Sequence, residues 1–139
     1  MQKFLLGILL LAGTLFSTTI FANELVWQKD IATAFEKAKK ENKIVMVMVE
    51  GKHCRWCKKM KYRTLSDDSV LKRLESYIVV KVMREDANAV KDLPEINGVP
   101  TIFFMKENKK VLKSVVGYYD VFDFTSYIND IEQKVPLKR

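Results

Sequence analysis

The sequence predicts an α/β domain built on a mixed β-sheet of about four strands, and three observations carry that expectation. Ile44–Val49, Tyr77–Met83 and Thr101–Met105 are apolar runs of strand length, rich in β-branched or aromatic residues. Segments with helical spacing of their apolar positions alternate with them. The final strand pair is joined by the polar turn "ENKK", the mark of an antiparallel hairpin. Helices alternating with strands and ending in a hairpin pack as layers on a partly parallel, partly antiparallel sheet.

Each element follows from its residues. From Trp27 to Lys43, Ile31, Ala34, Phe35 and Ala38 fall on one helical face, and Asp30 is placed to cap the start. Ile44–Val49 is six apolar residues without a break, too short for a helix and suited to a strand buried on both faces. A lysine-rich segment running to Arg63 continues as a helix from the cysteine motif. "SDDSVLKRLESY" predicts a short capped helix with Val70, Leu71 and Leu74 inward. Glu85 to Asn97 is polar and accommodates a short helix before Pro94. Val111–Gly117 is the strand that returns beside Thr101–Met105. Asp120 then caps a helix to about Lys134, with Val121, Phe124, Ile128 and Ile131 inward.

The 139 residues suffice for one domain. Residues 1–22 are set apart from it. Lys3 gives a positive start, an apolar run covers Phe4 to Phe16, and Ala22 is a small residue suited to cleavage. The run is shorter than the roughly 20 residues needed to span a bilayer. Residues 1–22 therefore read as a secretory signal peptide and 23–139 as the exported, periplasmic domain, with no stable membrane insertion after cleavage. Loss of Lys3 leaves the domain one charge below the +7 of the full chain. The lysines are dispersed and no arginine-rich arm occurs, so the basic balance describes a solvated surface, not a nucleic-acid interface.

The chemistry concentrates in "GKHCRWCKK", which holds both cysteines and the single histidine. A disulfide across so short a loop removes little entropy from the unfolded chain, so it is a poor staple. Export makes redox chemistry available to the pair. Haem attachment needs histidine directly after Cys57, where Lys58 stands. A structural zinc site needs four ligands, and Cys54, Cys57 and His53 supply at most three. Copper tolerates thiolates and thioethers, and Met46, Met48 and Met60 are near in sequence; a copper-binding or partner-binding module without redox activity is therefore a second class of reading. Cys54 at the first turn of a helix, amid Lys52, Arg55, Lys58, Lys59, Lys61 and Arg63, is placed for a lowered thiol pKa.

With the strand Ile44–Val49 before Cys54–Cys57, "GVPT" at Gly98–Thr101 and the hairpin and terminal helix after it, the chain resembles the thioredoxin-fold proteins over Glu24 to Lys134. Within them it is most similar to the exported thioredoxin-like group that includes the SoxW-type proteins. The resemblance implies a thiol–disulfide oxidoreductase in which Cys54 is the nucleophile and Cys57 the resolving thiol. It implies a cis bond at Pro100 after Val99, facing the cysteine pair and holding the substrate strand. His53, Arg55 and Lys58 are expected to tune Cys54, and Trp56 to dock substrate from an exposed position. Protein thiols and disulfides are the expected partners of a monomer, with a membrane electron carrier to recharge the pair and no cofactor or metal.

Two departures from the family pattern stand out. His53 replaces the tryptophan common before the first cysteine. Met48 stands where a buried carboxylate usually lies, with Glu50 the nearest acid on the same strand face. The missing acid favours oxidation, isomerisation or a specialised partner, and the basic cluster a more oxidising disulfide, whereas the resemblance to a group kept reduced leans toward a reductase.

Overall fold

Ile44–Glu50 forms β2, seven residues all buried, and the rest of the chain is arranged about it. The computed structural model describes residues 24–136, so the leader read over residues 1–22 lies outside the described residues. The sheet has five strands in the order β1-β3-β2-β4-β5. These are β1 (Trp27–Gln28), β2, β3 (Tyr77–Met83), β4 (Thr101–Met105) and β5 (Val111–Val116). β1 and β2 pair parallel with β3, β4 pairs antiparallel with β2, and β5 pairs antiparallel with β4.

The four expected strands are joined by a fifth, β1, at the sheet's edge. β1 is two residues long and pairs Trp27 with Val79 and Gln28 with Val80. Two residues cannot display a period, so the segment reads as the approach to the following helix. That helix, α1 (Ile31–Glu41), starts where Asp30 accepts a hydrogen bond from the Thr33 N–H at 2.7 Å.

Alternation along β2 divides the core. Met46 and Met48 face Met60, Leu74, Phe104, Phe124 and Ile128, whereas Val45, Val47 and Val49 face Phe35, Ala38 and Phe103. The terminal helix α5 (Val121–Lys134) therefore covers one face and α1 the other. As expected, Asp120 caps α5, and Phe124, Ile128 and Ile131 are its buried residues. α3 (Asp68–Leu74) buries Val70, Leu71 and Leu74 under an Asp67 cap, and α4 (Ala87–Val90) is a single turn.

The helix after the cysteines is not uniform. α2 (Arg55–Lys59) passes directly into a π-helical turn, Met60–Thr64, in which the Leu65 N–H donates to the Met60 carbonyl at 2.9 Å. Such wide turns recur beside functional sites.

Strand direction decides where the loops meet. β2, β3 and β5 run the same way and β4 runs against them. The carboxyl ends of β2, β3 and β5 thus share one sheet edge with the amino end of β4. Register fixes this: Glu50 lies opposite Met83, Val49 opposite Thr101, and Thr101 opposite Val116. In open α/β sheets this edge is where ligands bind.

Candidate active site

The Gly51–Cys54 loop leaves β2 at that edge and delivers Cys54 as the N-cap of α2. Cys54 and Cys57 are joined as a disulfide with Cα atoms 5.2 Å apart. The Cys57 N–H donates to the Cys54 Sγ at 3.1 Å, filling the place of a capping oxygen. Cys54 is half-buried, whereas Cys57 is 1% exposed and belongs to the core cluster with Met48 and Met60. The first cysteine is thus partly exposed and the second is shielded.

The loop is shaped by tight packing at Gly51 and by backbone conformation at His53. A Cβ on Gly51 would lie 3.0 Å from the Val99 Cγ2, so only glycine leaves Val99 its place against the loop. His53 is exposed and adopts the left-handed region at φ 55°. The Lys52 N–H donates to the Glu85 Oε1 at 3.0 Å, strapping the loop to the end of β3. That hydrogen bond holds the Glu85 carboxyl below the usual carboxylate range.

Val99 and Pro100 enter β4 through a cis peptide bond. Val99 packs against both core clusters, and Cys54 packs against the first of them. The Gly117 N–H donates to the Pro100 carbonyl at 2.8 Å, tying the end of β5 to the same place. The Thr64 Oγ1 donates to the Tyr119 carbonyl at 2.6 Å, joining the π-helical turn to it as well.

Trp56 is 45% exposed and does not fold into the core. Its ring lies 5.8 Å from that of Tyr118, tilted by 33°. The Lys59 Nζ sits over both, 5.0 Å from the Trp56 centroid and 4.5 Å from the Tyr118 centroid, and Arg55 lies 5.5 Å from Trp56. Lys58 is exposed on the outer side of the helix. The site residues read from the sequence thus fall on one sheet edge. Tyr118 and Glu85 were missed, although the hairpin's strand directions require the residues after β5 to emerge beside the cysteines.

Met48 is fully buried in the cluster that holds Cys57, so a thioether occupies the position where an acid is usual. Glu50 lies at the end of the same strand face, and its carboxylate pairs with the Lys61 Nζ at 2.5 Å. Lys61 follows Cys57 by one helical turn, and this pairing withdraws it from the basic cluster around Cys54. Met46 and Met60 are fully buried too, leaving no methionine of the three at the surface for an ion. Among the described residues no group of three His, Cys, Asp or Glu side chains could hold a metal, and no helix is long and apolar enough to cross a membrane.

Comparison with known proteins agrees with this fold. The thiol:disulfide interchange protein DsbD of Campylobacter jejuni is 27% identical over 118 residues, which cover 79% of this chain and 21% of the relative. The chain thus spans about a fifth of the length of the curated relatives it matches. A thioredoxin from Thermus thermophilus superposes with a TM-score of 0.64 at 22% identity, over 77% of this chain and 87% of that one. DsbH oxidoreductase gives 0.62 at 18% identity, over 83% and 87%. The oxidised C-terminal domain of DsbD from Neisseria meningitidis gives 0.58 at 19%, over 70% and 89%. The model of the thioredoxin-like domain matches residues 31–132, and the chain belongs to the thioredoxin-like domain family.

Proposed function

We propose that this protein is an exported, periplasmic thiol–disulfide oxidoreductase that works as a reductase of protein disulfides. The observation that carries the exchange chemistry is the asymmetry of the pair: Cys54 partly buried at a helix cap, Cys57 fully buried in the core. In the dithiol form, the Cys57 N–H that now meets the Cys54 Sγ at 3.1 Å would donate to a thiolate and stabilise it. The Cys54 thiolate attacks one sulfur of a partner disulfide. A Cys54–partner bond forms, and the other partner sulfur leaves as thiolate. Cys57, deprotonated, then attacks the Cys54 sulfur, restoring the Cys54–Cys57 disulfide and releasing the partner as a dithiol. Two electrons pass to the partner.

The remaining residues take supporting roles. Val99 and Pro100 border the cysteine loop and offer the edge along which a substrate strand lies. Trp56 provides the aromatic contact beside the reacting sulfur. Arg55 and Lys58 favour the thiolate electrostatically, and His53 shapes the loop that presents it. The leader layout of residues 1–22 supports export, and an exported reductase needs an electron donor, for which a membrane carrier serves. The relatives named thiol:disulfide interchange protein support the same chemistry. The likeness to a SoxW-type group supports the reducing direction.

Insulin reduction tests the reading. The dithiol form is expected to precipitate insulin B chain in the presence of dithiothreitol well above the reductant alone, and Cys54→Ser to fall to that background. Cys57→Ser is expected to accumulate a mixed disulfide at Cys54, visible by mass spectrometry. Wild-type protein no faster than background overturns the proposal.

A further inference from the structure

The Trp56–Tyr118 pair builds a surface that the exchange chemistry itself does not require. Lys59 rests over both rings, yet it pairs with no carboxylate among the described residues. The same holds for Arg55, Lys58 and Arg63, so four of the six cations around the cysteines lack an acidic partner there, Lys52 acting on Glu85 and Lys61 on Glu50. No acidic residue occurs between Glu50 and Asp67, and Glu50 is taken by Lys61. Asp120, the acid nearest Tyr118 in sequence, accepts from the Asp123 N–H at the cap of α5.

Tyr118 is held in place from two sides. Gly117 before it is bonded to Pro100, and Tyr119 after it is bonded to Thr64. The ammonium of Lys59 therefore lies over a preformed aromatic seat and keeps N–H donors for a ligand. A preorganised cation binds a carboxylate with less ordering cost than a free lysine. Trp56 lies between the two cysteines in sequence, so a carboxylate met there belongs to a residue close to the partner's own cysteine.

We infer that the Trp56–Lys59–Tyr118 seat, with the unpaired cations beside it, binds an acidic segment flanking the disulfide of a partner protein and selects partners by that charge. The inference rests on the oxidoreductase reading and adds the substrate class. Electrostatic complementarity of this kind acts chiefly on encounter and orientation, and it is screened by salt.

The test uses one disulfide-bonded peptide in three versions, with Glu, Gln or Lys at the two positions following its first cysteine. The full chain is reduced with dithiothreitol, freed of it, and mixed with each peptide in low salt while thiol release is followed. The Glu peptide is expected to be reduced about tenfold faster than the Lys peptide, with Gln between them. That ratio is expected to shrink in 0.5 M NaCl and in Lys59→Gln and Tyr118→Leu. Reduction of all three at one rate overturns the docking inference alone. Reduction of none overturns the oxidoreductase reading, and the docking inference with it. Equal rates together with sedimentation on phosphatidylglycerol vesicles would assign the cations to a lipid surface instead, and overturn it too.

Discussion

Met48, Glu50 and Lys61 show how single residues set the character of this site. A thioether under Cys57 cannot take a proton, so the position is hydrophobic where a carboxylate is usual. The strand's alternation puts Glu50 on the same face, but the carboxylate is spoken for by Lys61, whose side chain is itself only about a quarter exposed. Removing one partner of a mostly buried pair leaves an uncompensated charge, which costs more than the pair contributes. Lys61→Ala is expected to lower stability by about 1–3 kcal/mol and Glu50→Gln by less, because the carboxylate is the more buried group. Urea denaturation checks the order, and equal or inverted costs would mean that the pair is solvated. The presence of an acid near position 48 was legible from the sequence. Its engagement was not, because the lysine that claims it sits eleven residues on, across a helix whose π-turn no periodicity announces.

At the scale of elements, the loops of one sheet edge position the sulfurs. Gly51 is required by proximity: an alanine there would bring its Cβ to 3.0 Å from Val99. Gly51→Ala is expected to destabilise by about 1–2 kcal/mol through overpacking, and to displace Val99 in a structure of the variant. An unchanged denaturation midpoint would show that Val99 yields freely.

The Glu85–Lys52 hydrogen bond at the same edge depends on pH, and its sign is set by a depressed carboxyl. A group whose folded pKa lies below its unfolded value contributes fully above the unfolded value, and the contribution is lost as pH falls through the folded one. The strap is therefore intact at neutral pH and loosens below about 4.5, the ordinary value for this carboxyl. The Lys52 amide resonance is expected to titrate with an inflection below that value and to lose the inflection in Glu85→Gln. An inflection at or above it would remove the strap from the account. Helices, three long strands and the final strand were readable in advance because their apolar periods are long enough to count. β1 was not, since two residues carry no period, and Tyr118 was not singled out, since its place depends on the parity of strand directions.

At the scale of the whole molecule, the surroundings of the cysteine pair bear on the direction of its chemistry. The unpaired cations around Cys54 and the Cys57 N–H favour thiolate, stabilise the dithiol and make the disulfide more oxidising. The reducing direction proposed for the couple runs against that influence. The fold itself follows from pattern: β2 buried on both faces, a motif at its carboxyl end, and a hairpin that returns beside it. Direction of electron flow is a small difference between two sulfur states and does not show in patterns of burial. The reduction potential of the Cys54–Cys57 couple, titrated against dithiothreitol and glutathione at pH 7, measures it directly. A value of about −270 mV, in the range of reductases, is expected, whereas one of about −120 mV, that of a strong oxidant, would contradict the reducing direction.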